Sequence, residues 1–256
     1  MSQFSELMDA IKNNRVGIVK ALIEEGVDVN KKVNYGITTA PLIRAVYTGN
    51  PEIVKLLLDA GADINVTNKC GRNILMQAIE DKNNEIAKLL IENGININTK
   101  DKDSNTALHY AAQYGNLEII SILVNAGANI NAQNEDGTTP LITAIYYSND
   151  DIVKELVNLG ANVNIKDNEG NTALIHATEF NQSNSVRCLV ETGADINIKN
   201  DRGLSAIDMA TKVANGIKNH PEEYAEIIIR KIDENDLKKH IENISMVNYL
   251  SQISEK

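Results

Sequence analysis

The chain has 256 residues, with 35 Asp and Glu against 25 Lys and Arg, so its net charge is −10. That deficit of basic residues excludes a nucleic-acid backbone as the main partner, since neutralising phosphates needs a surplus of Lys and Arg. No stretch approaches the roughly 18 consecutive apolar residues of a membrane-spanning helix, which excludes a membrane-embedded domain of that kind.

At the start of the chain, Leu7, Ala10, Val19 and Leu22 fall at helical spacing and predict two short helices. No hairpin precedes them, so residues 1–34 read as an N-terminal capping repeat. Met1 to Asn14 carries Glu6 and Asp9 and lacks a basic run followed by an apolar core, which predicts a cytoplasmic location. Gly26 then opens the first of six Gly-x-[Asp/Asn]-[Val/Ile]-Asn pentapeptides, the others starting at Gly61, Gly94, Gly127, Gly160 and Gly193. The spacing is 35 residues once and 33 four times, and the two extra residues fall between Lys31 and Thr39, where they read as a lengthened hairpin loop. A second register agrees: Leu42, Leu75, Leu108, Leu141, Leu174 and Ile207 step by 33, as do Ala45, Ala78, Ala111, Ala144, Ala177 and Ala210. A period of this length predicts stacked supersecondary repeats, none able to bury its apolar face alone. Function is then carried by an extended surface, not by a closed pocket.

Five full repeats span residues 35–199, and the copy from Asn134 to Lys166 is the clearest. Asp136-Gly137 is a hairpin turn, and Thr139-Pro140 reads as N-cap and first helical position, where proline's missing N–H costs nothing. A short helix follows through Leu141, Ala144 and Ile145, and a second through Ile152, Val153, Leu156 and Val157. Gly160 ends it in a left-handed cap. Turn, short helix, longer helix, glycine stop and extended arm, with Thr139-Pro140-Leu141 and Gly160-Ala161-Asn162-Val163-Asn164, resemble the ankyrin repeat family. Thr106-Ala107-Leu108-His109 and Thr172-Ala173-Leu174 repeat the likeness, which covers about residues 5 to 212. Asn73-Ile74-Leu75-Met76 departs most, and with Lys82 in place of a small residue it predicts a locally weaker third repeat.

The resemblance implies an all-α solenoid of about seven helix-turn-helix repeats with short hairpin loops and C-terminal capping helices. Residues 200–232 read as a divergent repeat with an insertion through Gly216 and Pro221, and residues 233–256 as a C-terminal helix with Leu237, Ile241, Ile244, Val247 and Leu250 on one face. The abundance of asparagine, isoleucine and lysine reads as a coding bias.

Catalytic groupings are not visible. His109, His176, His220 and His240 form no His-x-x-x-His pattern, the glycines are single, and the Gly-x-[Asp/Asn] motifs lack the acidic density of calcium loops. The chain therefore reads as a non-enzyme with no cofactor and no metal. Cys70 and Cys188, three repeats apart, read as unlinked thiols, since stacking steps of about 8–10 Å separate them well beyond disulfide reach. His109 reads as the structural histidine of its tetrapeptide.

The resemblance further implies that a protein partner docks on the hairpin tips and on the ends of the first helices, the concave face. The matching positions are Tyr47-Thr48, Glu80-Asp81, Gln113-Tyr114, Tyr146-Tyr147, Glu179-Phe180 and Lys212-Val213, with Glu135, Asp136 and Glu169 at hairpin tips. Five of the ten aromatic residues fall in those twelve first-helix positions, and rings are frequent anchors of interfaces. This predicts a monomeric interaction scaffold whose partner offers a basic and apolar surface. The alternatives are a regulatory or inhibitory subunit of an enzyme, acting through the C-terminal helix, and an effector directed at a host cell.

Overall fold

The computed structural model describes residues 2–31, 33–34 and 38–210. The second helix expected in the seventh repeat, the C-terminal helix, and Lys212, Val213, His220 and His240 lie outside the described residues. The chain divides into two bodies, Met1–Glu135 and Asp136–Lys256.

The first body holds four helix pairs: α1 (Gln3–Lys12) with α2 (Val16–Glu24), α3 (Pro41–Thr48) with α4 (Pro51–Asp59), α5 (Ile74–Glu80) with α6 (Asn84–Glu92), and α7 (Ala107–Tyr114) with α8 (Leu117–Asn125). First helices stack on first helices, in the order α1, α3, α5, α7, and second helices stack on second helices in the same way. The lengthened loop after α2 carries a two-residue antiparallel pair, β1 (Val33–Asn34) with β2 (Thr38–Thr39). The second body repeats the arrangement with α9 (Pro140–Tyr146) and α10 (Asp150–Asn158), then α11 (Ala173–Glu179) and α12 (Ser183–Glu191). A further helix begins at Ala206. Apart from the short β pair, the regular structure of the described residues is helical, as expected.

The two apolar registers form the cores. Ala45, Ala78, Ala111, Ala144 and Ala177 are fully buried, and their small size lets neighbouring first helices approach closely. Leu57, Leu90, Leu123, Leu156 and Leu189, again 33 apart, are fully buried on the second helices. Each such leucine stabilises its body by about 1.5–3 kcal/mol relative to an exposed side chain.

Local chemistry sets the helix starts. Thr139 and Thr172 accept the backbone N–H groups of Ile142 and Ile175, and Asn73 does the same for Met76 at 3.0 Å. The third repeat, which lacks Thr-Pro, therefore keeps a cap. Thr106 and His109 form a capping box, with the Thr106 N–H donating to His109 Nδ1 at 3.1 Å. Second helices α4, α6 and α8 are capped by Asn50, Asn83 and Asn116, one period apart.

Asparagine also joins repeat to repeat. In all six pentapeptides the third residue's side chain accepts the N–H two residues on, for example Asp63 from Asn65 at 3.0 Å and Asn162 from Asn164 at 3.0 Å. The closing asparagines Asn30, Asn65, Asn98 and Asn164 then reach the next repeat. Asn30 donates to the Gly61 carbonyl at 2.9 Å and accepts from the Asp63 N–H at 2.7 Å, and Asn98 does the same with Gly127 and Asn129. Asn65 accepts from Asn96, and in the second body Asn164 accepts from Asp195. The abundance of asparagine thus has a structural use beyond any coding bias. Hairpins are tied in parallel, Lys102 N–H to the Cys70 carbonyl and Asn168 N–H to the Asp136 carbonyl, both at 2.9 Å. They run so close that a Cβ on Gly137 would lie 2.7 Å from the Asn168 nitrogen. Cys70 and Cys188 are both free thiols.

Two stability tests follow from these contacts. Asn98→Ala removes two inter-repeat bonds and is expected to cost about 1–2 kcal/mol by equilibrium urea unfolding, whereas Asn125→Ala, at an exposed helix position, should change little. Lys82 ends α5 with φ +55°, a left-handed conformation that Gly49 supplies one repeat earlier. Relief of Cβ strain outweighs the added chain entropy, so Lys82→Gly should raise stability by about 0.5–1 kcal/mol. A loss would show that the local conformation carries no strain.

Candidate functional site

The first helices end in a set of aromatic and acidic residues, because each helix turns into its left-handed exit and leaves the last two positions at the surface. Among the expected positions of the first body, Tyr47 is 53 % exposed and stands beside a shallow cleft lined by Val46, Ile74 and Gln77. Asp81 is exposed and accepts from Gln77 at 3.0 Å. Glu80 and Tyr114 are brought together: the Tyr114 hydroxyl donates to Glu80 Oε1 at 2.8 Å. The ring of Tyr114 stacks near that of Tyr110, with centroids 6.4 Å apart. Tyr114 is half-buried, unlike Tyr47 two repeats earlier. Its neighbours explain why. Arg72 donates to Glu80 Oε2 at 3.0 Å and holds its guanidinium 5.1 Å from the Tyr110 ring centroid, while the Tyr110 hydroxyl donates to buried Asp101 at 2.8 Å. Burial and the Asp101 carboxylate push the Tyr110 hydroxyl far above the usual phenol range.

In the second body Tyr146, Glu179 and Phe180 meet. Tyr146 is 45 % exposed and Phe180 43 %, with ring centroids 5.5 Å apart. The buried ring of His176 completes a triangle with them, 4.8 Å from Tyr146 and stacked at 5.9 Å against Phe180. His176 Nε2 is 2.6 Å from Asp167 Oδ2 and 3.2 Å from the Tyr146 hydroxyl, and Nδ1 lies 4.0 Å from Glu179 Oε2. Burial, then the fields of Asp167, Glu169, Glu179 and Asp136, pushes the Tyr146 hydroxyl up to about 12. Tyr147, the next residue and C-cap of α9, is 53 % exposed. At the hairpin tips, Glu169 is exposed and pairs with Arg202 at 3.3 Å, and Glu135 and Asp136 are exposed.

Arg72, Asp101, Tyr110, Asp167 and His176 were not among the expected site residues. The signal was present: Asn68, Asp101, Asn134, Asp167 and Asn200 stand one period apart, and Tyr110 and His176 each follow an aspartate of that column by nine residues. The column oxygen on Asp101 and Asp167 accepts the N–H groups two and four residues on and so shapes each hairpin. The other carboxylate oxygen is left to bond the helix. Chemically, the arrangement offers rings, carboxylates and hydrogen-bond acceptors at a surface. Among the described residues no group of three or more His, Cys, Asp or Glu is placed to hold a metal ion, and no helix is long and apolar enough to cross a membrane.

Comparison with known proteins agrees with the architecture. Family models described as ankyrin repeats (3 copies) match residues 42–134 and 126–200, and one described as ankyrin repeats (many copies) matches residues 7–58. The ankyrin repeat domain of Bcl-3, a member of the IkappaB protein family, is 28 % identical with a TM-score of 0.74, covering 79 % of this chain and 92 % of that one. The human ASB11 ankyrin repeat domain is 25 % identical with a TM-score of 0.72, covering 89 % and 98 %. Putative ankyrin repeat protein R664 of Acanthamoeba polyphaga mimivirus is 43 % identical over 65 residues, which is 24 % of this chain and 40 % of that protein. The matched segments span 7–40 % of the length of such relatives.

Tyr114→Phe keeps the ring and removes only the bond to Glu80. It is expected to lower stability by about 1 kcal/mol, read as the urea midpoint, because a partly exposed bond to a charged acceptor has that order of worth. An unchanged midpoint would show that the Tyr114 hydroxyl is satisfied equally well by water.

Proposed function

The chain belongs to the ankyrin repeat family, whose repeats generally mediate protein–protein interaction as non-catalytic scaffolds, and on that premise we propose that it binds a protein partner through the ends of its first helices. This is the concave face in the family. The binding centre is the exposed surface of Tyr146, Tyr147 and Phe180, rimmed by Glu179, Glu169 and Asp136. On the first body, Tyr47, Glu80, Asp81, Tyr114 and Glu135 occupy the corresponding positions, with Tyr114 contributing through its contact with Glu80.

The observation that carries this reading is the exposure of three large rings within two adjacent repeats, at 43–53 %, beside first-helix alanine and second-helix leucine columns that are fully buried. Amphipathic rings at a surface supply contact area at little cost in side-chain entropy. The acidic rim selects a partner with a basic and apolar surface and speeds its approach. A cytoplasmic location and a monomeric state are part of the proposal.

The test uses the full chain as bait, with affinities measured for the captured partner against Tyr147→Ala, Phe180→Ala and, on a second helix, Leu117→Ala. Each ring variant should weaken binding by about thirtyfold, or 2 kcal/mol, with little change in thermal midpoint. Leu117→Ala should bind normally. Binding unaffected by both ring variants would place the partner elsewhere, the C-terminal helix included.

A further inference from the structure

The two bodies carry the same backbone frame two periods of 33 residues apart, with the aspartate kept and the places of Arg72, Glu80, Tyr110 and Tyr114 taken by Thr138, Tyr146, His176 and Phe180. In the first, Asp101 holds the Tyr110 hydroxyl, and the guanidinium of Arg72 lies 5.1 Å from the Tyr110 ring centroid while donating to Glu80. Ring, carboxylate and cation complete one another from within the chain. In the second, Asp167 stands for Asp101, His176 for Tyr110 and Phe180 for Tyr114, and Asp167 bonds His176 as Asp101 bonds Tyr110. The place of Arg72 is taken by Thr138, which is buried and too short to reach over a ring. The frame is kept, and the position of Arg72 in it carries no cation.

Two features of the second frame call for a cation with several donors. First, Asp136, Asp167, Glu169 and Glu179 all act on the Tyr146 hydroxyl, and the pair of Glu169 with Arg202 lies in solvent. Second, His176 is 4 % exposed, and its buried Nδ1 has no hydrogen-bond partner. With the ring proton on Nε2, facing the Asp167 oxygen at 2.6 Å, Nδ1 is an acceptor, and it faces another acceptor, Glu179 Oε2, at 4.0 Å. A donor group entering between them satisfies both.

We infer that Tyr146, His176, Phe180 and Glu179 form a site for an arginine side chain of the partner, whose guanidinium takes the role that Arg72 plays at Tyr110. The inference rests on the reading of this face as the partner surface and names the group it takes. Arginine fits better than lysine because its planar guanidinium stacks on rings while its five N–H groups reach separate acceptors, here Glu179 and His176.

The experiment follows the aromatic NMR signals of Tyr146, His176 and Phe180 in the full chain during titration with Nα-acetylarginine amide. Nα-acetylcitrulline amide, of the same shape without charge, and Nα-acetyllysine amide are run beside it. Saturable shifts are expected for the arginine amide with a dissociation constant on the order of millimolar, about fivefold weaker for lysine and absent for citrulline. Thr138→Arg, which supplies the cation from within, should abolish the response, and Glu179→Gln should weaken it about threefold, each with a native circular dichroism spectrum and melt. Equal shifts with citrulline, no saturation with arginine amide, or an undiminished response in both variants would overturn the inference. If the ring variants abolish partner binding while arginine amide gives no shift, the arginine site falls and the partner face stands. Partner binding unaffected by both Tyr147→Ala and Phe180→Ala overturns both.

Discussion

Within each body one side-chain amide does much of the joining. The closing asparagines Asn30, Asn65, Asn98 and Asn164 each accept a backbone N–H from the following repeat, and Asn30 and Asn98 donate to a carbonyl there as well. Apolar burial supplies most of the stacking free energy, but it is non-directional and tolerates sliding. The amide bonds do not. A shift of one residue between repeats would leave both the asparagine and the loop N–H without their partners, so the 33-residue period is held by hydrogen bonds as well as by leucine and alanine columns. The hairpin ties, Lys102 to Cys70 and Asn168 to Asp136, repeat the constraint at the other edge.

A fixed register turns sequence positions into spatial columns, and the surface is then written by what each column carries. The hairpin aspartate column shows how. At Asp101 and Asp167 one carboxylate oxygen organises the hairpin and the other holds the residue nine positions on, Tyr110 or His176. One backbone frame therefore yields a self-satisfied cluster around Arg72 in the first body and an open, acidic group of rings in the second. Local identity at two or three columns decides which face offers itself to a partner, with no change of fold.

Much of this architecture is readable from the chain alone. Gly160, Ala144 and Leu141 announce their repeat by spacing, because the left-handed cap and the close helix contact admit few residue types. Thr139-Pro140 announces a helix start. Asn73 is harder: it does the work of threonine without its motif, since any short side chain with an acceptor can cap. The candidate site was legible by position and not by contact. Tyr146, Tyr147 and Phe180 fall where the period puts them and are exposed. Tyr114 occupies an equivalent position yet packs against Glu80 and Tyr110, because Arg72, 42 residues earlier, draws Glu80 towards it. Spacing cannot reveal a contact that depends on which side chain a neighbouring repeat happens to carry.

The most direct test of the account is residue-resolved hydrogen exchange of the full chain, read at the amides of Asp63, Asn96, Asn129 and Asp195. All four residues are exposed, and each N–H is directed at the asparagine oxygen of the preceding repeat. If those bonds hold the register, the four amides exchange several-fold more slowly than open loop amides, about fivefold for a bond worth 1 kcal/mol, and replacing the partner asparagine with alanine releases only the amide it held. Exchange at the rate of an unstructured chain at all four positions would contradict it.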